Sequence, residues 1–580
     1  MSEKQRIPTS APADRPSFTI KVDGNAVSGE YQIQSVSVSR SFNKVASAEI
    51  HILDGDPAQG DFKISNTDDF IPGREIEILA GYHSDEELIF KGIVIRHGLR
   101  VFNNKPSLLK IECKDAAVKL TIARKNAYFY EITDADLMDE LAAQAGLNSE
   151  IEATNVTHAS MVQFYSTDWD FILTRAEANG KQVLTHDGKL IIKAPQKNDI
   201  ALDLTYGGNL LDFEAVMDAA EQYSTVKSSS WGAADQEIVE IEANASAATT
   251  PGNISVEDLA SVIGLESCDL RQVGLADGEL QEWANGKQIR SAYSKVRGRA
   301  RIQGYGNILP GNFINLSGVG ERFNGDALVS GIRHEISSKN WETDISFGLS
   351  AESFGVQHRD IIAAPANGLL PPISGLQIGL VTSLEDPDGE DRIQLRIAVI
   401  DSAEEGVWAR IATLDAGENR GSFFRPEIDD EVIVGFLNDD PRTPIVLGML
   451  NSSAKPAPLT ASDDNHEKGF VTRSEIKLLF DDDKAALTIE TPNANTLVLS
   501  DDEGSIKLAD ENGNSIIMDS SGISIESDSD INIRAGGDVT IEGTNINAKA
   551  SAEFKAEGSA GAEISSSAST TVKGSLVQIN

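Results

Sequence analysis

Cysteine is almost missing from this chain. Only Cys113 and Cys268 occur among 580 residues, so neither a disulfide framework nor a paired-cysteine metal site can be built, and both thiols are expected as small buried hydrophobes. Histidine is nearly as thin. None of the eight histidines stands at the HxxxH spacing of a helical zinc site. The GxSxG turn of a serine hydrolase and the glycine-lysine loop of a nucleotide-binding fold are both lacking. GYGNILPG, from Gly304, has glycines without dinucleotide spacing and reads as a strand turn. No apolar run approaches the length of a membrane span, and MSEKQRIPTSAPADRP lacks the apolar stretch of a secretory leader. These absences predict a protein without catalytic residues, cofactor or bound metal, made in the cytoplasm.

Positive charge is scarce as well. Lys and Arg total 50 against 90 Asp and Glu, a formal net charge of −40. Such a surface repels phosphate backbones, which excludes nucleic acid as a partner. It also keeps a many-stranded protein soluble and discourages pairing at strand edges. Aromatics make up 6% of the residues, while 48 glycines and a 40% hydrophobic content point to a turn-rich β protein with real cores. The length suits roughly three to five domains.

Along the chain, residues 1–16 are polar and expected to be flexible. From 17 to 121, runs such as FTIKV, SAEIHIL and EIEILAGY alternate and are punctuated by Gly, Pro, Asn and Asp, the pattern of a small β-barrel. Residues 122–201 read as an α/β insert. Leu137, Met138 and Leu141 share one helix face after a cap at Thr133 or Asp134, and a second helix from about Asp168 to Gly180 buries Phe171, Ile172 and Ala176. KQVLTHDGKLIIKA follows as a hairpin turning on Asp187-Gly188. Residues 202–365 return to strands as a second barrel, with a short helix near 255–262 and a longer one over about 279–295. Residues 366–375 are a linker, 376–451 a compact β module, and 452–475 a second linker.

From 476 to 580 the pattern changes. Apolar residues recur as i, i+2 pairs: Leu487/Ile489, Leu497/Leu499, Ile506/Leu508, Ile516/Met518, Ile523/Ile525, Ile531/Ile533, Val539/Ile541 and onward to Val577/Ile579. The interval is about nine or ten residues at first and then about eight, with Gly, Asp, Asn and Ser between. Each pair marks a short strand with one buried face, and regular recurrence marks a stacked solenoid. Two apolar side chains per strand are too few for one chain to enclose a core. Three chains around one axis solve this, each supplying a wall of a triangular prism, and about a dozen strands give a needle on the order of 50–60 Å long. A disordered tail would not hold β-branched residues in register over so many repeats, and a single-chain solenoid needs more inward residues per coil. The axial core is expected to include Ile506, Leu508, Ile523, Ile525, Ile531, Ile533, Val539 and Ile541.

Within 376–451 the residues become recognisable. GLVTSLEDPDGEDRIQLRIAV, GVWARIATL and FRPEIDDEVIVGFLNDDPRTPIVLGMLNSS resemble the OB-fold module of phage baseplate spikes and of the VgrG proteins of type VI secretion. Asp429 stands where that pattern usually has Gly, a conservative change in a tight turn. Asp386-Pro387-Asp388-Gly389-Glu390-Asp391 is the family's turn and not an EF-hand, since loop positions six and twelve hold Asp391 and Ile397. Upstream, LPGNFINLSGVGERFNGDALVSGIRHEISSKNWETDISFGLS and DWDFILTRAEANGKQVLTHDGKLIIKA resemble the late-control tail-hub family, and His334 is read as a structural histidine on a strand.

The resemblance implies a mainly β homotrimer: two hub β-barrel domains with an α/β insert, an OB-fold and a C-terminal trimeric intertwined β-helix. It implies a structural, non-enzymatic hub and spike that joins a sixfold tail tube, or its initiator proteins, and baseplate proteins to the tip. The needle would puncture a target cell envelope, and the particle would assemble in the cytoplasm and act after release. A type VI spike carrying an effector and a contractile phage tail spike are the alternatives. Asp481, Asp482 and Asp483 read as solvated charge. No His follows His466, so a self-made His-x-His iron tip is not expected. Val577, Gln578, Ile579 and Asn580 are expected to receive a PAAR-type tip protein on exposed strand edges.

Overall fold

The computed structural model describes residues 15–197, 199–264 and 267–579. The stretch read as flexible, 1–16, lies outside the described residues except for Arg15 and Pro16, and Pro16 already opens a strand. The chain is mainly β and divides into two compact units, one up to Gly375 together with Phe436–Thr443, the other Leu376–Gly435 with Pro444 onward.

In the first unit, period-2 patterning becomes period-2 burial. Along Lys44–Leu53, Ala46, Ala48, Ile50 and Ile52 point inward while the residues between them stay partly exposed. Most strands of the two β regions belong to one sheet, whose main path runs Asp212–Met217, Val296–Gln303, Trp341–Phe347, Gly325–Ser337, Ile33–Ser41, Lys44–Leu53, Leu108–Lys114, Asp85–Arg100, Glu75–Tyr82, Pro16–Val22, while Thr225–Gly232, Glu237–Glu242 and Ser267–Arg271 form a separate small sheet. The joint is Gly325–Ser337, which pairs antiparallel with Ile33–Ser41 from Gly331 opposite Ser41 to Ser337 opposite Ser35. Two cores flank this joint. One gathers Ile20, Val38, Ile50, Phe90 and Ile111, the other Leu204, Ile302, Ile314, Val329 and Phe347.

His334 sits on the joining strand, opposite Val38, and is fully buried. Its Nδ1 lies 2.9 Å from Thr343 Oγ1 and its ring packs beside Trp341. Burial, aided by the nearby Arg40 cation, pushes its pKa down to about 3, so the ring is neutral. This is a histidine satisfied by its core.

The insert forms from local signals. Helix α1 (Asp134–Gln144) is capped by Thr133, whose hydroxyl accepts from the Asp136 amide, and α2 (Asp168–Ala178) by Thr167, which accepts from Asp170. The Gln182–His186 and Lys189–Lys193 hairpin turns on Asp187 and Gly188, both at positive φ (52° and 84°), as its right-handed twist requires. Asn148–Ile151 adds to it in parallel. Further on, α3 (Val256–Ile263) starts at a Ser255/Asp258 capping box, and α4 (Asp277–Ser294) packs on α2.

In the second unit, Gln377–Ser383, Ile393–Ile397, Val407–Ile411, Pro444–Met449 and Glu431–Phe436 close a five-stranded barrel around Val381, Ile393, Leu395, Ala409, Val432, Val434 and Val446. Its first turn is held by Asp386, which accepts from the Asp388, Glu390 and Arg392 amides and takes a two-pronged bond from the Arg392 guanidinium (2.8 and 2.7 Å). The carboxylate that a calcium ion would need is thus occupied by a cation of the chain itself. Asp429 has φ 68°, in the left-handed region, which is the physical reason glycine is usual there.

Candidate assembly face

The seven strands Glu467–Val471, Lys477–Asp481, Ala486–Glu490, Thr496–Ser500, Ser505–Ala509, Ser515–Asp519 and Gly522–Glu526 pair consecutively into one antiparallel sheet. Five-residue strands with this register stack their second and fourth side chains into columns. One column reads Phe470, Leu478, Ile489, Leu497, Leu508, Ile516, Ile525; the other reads Lys468, Phe480, Leu487, Leu499, Ile506, Met518, Ile523. Side chains opposite one another on a shared face are the unit of sheet stabilisation. Here they form a face two residues wide and seven strands long, apolar except for Lys468 at its first strand.

The turns that set this register use acidic side chains. Asp510 Oδ1 accepts from the Asn512 and Asn514 amides (2.9 and 2.8 Å), while its Oδ2 accepts from Asn514 Nδ2 at 2.6 Å. Asp519 takes the Ser521 amide and hydroxyl, and Asp481 takes the Asp483 and Lys484 amides and the Lys484 ammonium. These bonds, side-chain bonds first, hold all three carboxyls below the usual carboxylate range. Part of the acidity read as a solubilising coat is therefore turn chemistry. Asp481 is committed to Lys484, and among the described residues no cluster of three or more His, Cys, Asp or Glu side chains is arranged to hold a metal ion.

Ile506, Leu508, Ile523 and Ile525 lie on the columned face. Within this single chain they remain exposed, Ile523 at 70%. Leu497, Leu508, Ile516, Ile525 and Ile531 line an open groove of about 690 Å³ beside the first column. From Ser527 to Ile579 the described residues pair with no strand of their own chain. Ile531, Ile533, Val539 and Ile541 fall in that stretch, all more than half exposed, as do Val577, Gln578 and Ile579. Asn580 lies outside the described residues.

One element of the sheet escaped the sequence pattern. Its first strand, Glu467–Val471, falls inside the stretch 452–475 read as linker. The column position that would have completed an i, i+2 pair is Lys468, whose ammonium bonds the Asn465 carbonyl (2.6 Å) and pairs with Asp482. Only Phe470 signalled the strand.

Comparison with known proteins follows the same division of the chain. Residues 12–338, more than half of the 580, match the family described as the Alg8 N-terminal domain. The chain belongs to that family. Residues 377–450 match the type VI secretion system/phage-baseplate injector OB domain, the stretch whose motifs resemble it and whose strands close the barrel.

The chain is VgrG-like. It is 27% identical over 214 residues to the type VI secretion system spike protein VgrG1b of Pseudomonas aeruginosa, covering 34% of this chain and 28% of that protein. With VgrG3 of Vibrio cholerae it shares 40% identity over 68 residues, 12% of this chain and 6% of that one. The chain thus spans less than a third of the length of the curated relatives it matches. Among solved structures it is similar to the 43 kDa tail protein of prophage MuSo2 from Shewanella oneidensis, at 12% identity and a TM-score of 0.44 over 58% of this chain and 98% of that one. The tail protein of Neisseria meningitidis MC58 gives 14% and 0.43 over 59% and 98%.

Proposed function

We propose that this chain is the hub-and-spike subunit of a contractile injection machine and works as a homotrimer without an enzymatic step of its own. The observation that carries the reading is the two-column apolar face, which one chain leaves uncovered. A contiguous apolar strip of this kind marks a protein interface. Three such sheets set face to face give a closed prism with the columns at its axis, and 527–579, unpaired within the chain, supplies strands that pair between chains. In this reading 17–121 and 202–365 are the hub barrels, 122–201 the insert, 376–451 the OB collar and 476–580 the spike, lengthened at its base by Glu467–Val471.

Force reaches the target through the needle's stiffness. To bend or strip the prism, many interchain contacts must fail together, so thrust along the axis is delivered to a small area of envelope. The hub would mate with the tail tube and baseplate; strand Asp212–Met217, paired on one side only, offers an edge for ring closure between copies. Exposed Val577 and Ile579 are the surface we assign to a PAAR-type tip protein. The curated relatives are type VI spikes, which favours that machine as the second reading. Neighbouring genes separate it from an extracellular particle or a phage: a membrane-complex set, sheath and tube genes alone, or capsid genes.

Light scattering on the purified full chain tests the core claim. A mass about three times 62.2 kDa is expected. A monomer at micromolar concentration would sink it.

A further inference from the structure

The first unit holds a half-open cavity of about 320 Å³ between α1, α2 and α4. Its floor is Asp134, the first residue of α1 and almost fully buried. The Arg175 guanidinium grips this carboxylate through two nitrogens (2.6 and 2.8 Å), Asn179 Nδ2 donates at 2.9 Å, and His158 Nε2 lies at 3.1 Å. Burial pushes the Asp134 pKa up, but these partners outweigh it and hold it below the ordinary value, so Asp134 stays ionised and neutralises Arg175 inside the chain.

The wall from α4 is different. Glu279, Glu282 and Trp283 are spaced three and four residues apart and so share one helix face. Glu279 is partly used: it accepts from the Ala276 amide at 3.2 Å and lies 3.5 Å from His158 Nδ1 and 3.8 Å from Arg175. Glu282 and the indole N–H of Trp283 have no hydrogen bond or ion pair among the described residues, although both are half-buried. Arg271, also lining the cavity, has Asp269 at 3.7 Å as its one ion-pair partner among the described residues. With Arg175 cancelled by Asp134, the cavity has an acidic wall beside an aromatic ring.

We propose that this cavity receives one arginine side chain of a partner protein. Glu282 supplies the counter-charge, the Trp283 ring a stacking face, and Val156 and Leu275 an apolar bed for the methylene stem. Arginine suits it better than lysine because a planar guanidinium can stack and donate sideways together. The chain's net charge of −40 steers a basic segment toward it. This goes beyond the spike reading and does not depend on trimer formation.

The test uses the full chain labelled with 5-fluorotryptophan. It has five Trp, and the Trp283 resonance is assigned by Trp283→Phe. N-acetyl-arginine methylamide should shift that resonance saturably, the lysine analogue more weakly, and the glutamate analogue not at all. Glu282→Gln should weaken the arginine probe roughly tenfold or more, the usual loss when a charged partner is removed. An unmoved Trp283 signal, or equal arginine binding by Glu282→Gln, overturns the proposal. Preference for the glutamate probe also overturns it, by assigning the cavity to anions through Arg271. Asp502→Asn, on an exposed turn far along the chain, controls for binding to the acidic surface in general.

Discussion

Phe470 stacks on Phe424, ring centroids 5.2 Å apart and 16° from parallel, and so fastens the first strand of the long sheet to the barrel module that precedes it. Arg473 adds an ion pair to Glu427 a few residues on. An aromatic pair of this kind contributes about 0.5–1.5 kcal/mol beyond its buried area. In a double-mutant cycle of Phe424→Ala and Phe470→Ala, thermal unfolding should return a coupling energy in that range. A coupling near zero would mean the two rings merely lie near each other.

Ile531→Asp should abolish or weaken the trimer, because a carboxylate set among three apolar walls loses its water without gaining a partner. Sedimentation at several concentrations reads this directly. Lys507→Asp, on the face of the seven-stranded sheet opposite the two columns, should leave the mass unchanged.

Gly180 and Gly286 bring α2 and α4 together so closely that a Cβ on Gly286 would lie 2.9 Å from the Gly180 Cα. Neither backbone can yield as a flexible side chain would. Gly286→Val is therefore expected to cost roughly 2–3 kcal/mol, as overpacking typically does, in denaturant unfolding followed by a probe in the first unit.

His334 makes stability depend on pH. Its folded pKa, about 3, lies far below the roughly 6.5 of an unfolded histidine, so below pH 6.5 the unfolded chain binds a proton that the folded chain refuses. Stability then falls as pH drops, by up to about 1.4 kcal/mol per pH unit, until about pH 3. Between pH 7 and 5.5, before most carboxylates titrate, wild type should lose stability that His334→Gln does not. Parallel curves would show that the histidine is not the titrating group.

Asp429 carries a small conformational penalty at φ 68°, and among the described residues its carboxylate makes no hydrogen bond to offset it. Asp429→Gly should leave the barrel equally stable or up to about 1 kcal/mol more so, and Asp429→Val should destabilise it by about 1–2 kcal/mol. Hydrogen exchange of the Val381 and Val432 amides in the full chain measures both.

What the sequence determined by itself is what neighbouring residues can decide. Thr133 and Thr167 cap helices because their hydroxyls reach amides three residues on, Asp187-Gly188 turns because both accept positive φ, and the i, i+2 pairs from Leu487 onward can bury only one face. The barrel's strands and the paired columns were legible for that reason. Other features needed the fold. Lys468 broke the apolar pair that would have announced the first strand of the sheet, and only pairing with Lys477–Asp481 places it there. His334 is an ordinary residue on a strand until Trp341, Thr343 and the joining of two β regions deprive it of water. Glu282 carries no signal of a site in the sequence, and it lines a cavity only because Asp134, distant in sequence, folds beneath it and takes Arg175 for itself. Local stereochemistry is written in short spans of chain; desolvation and charge pairing arise only where distant spans meet.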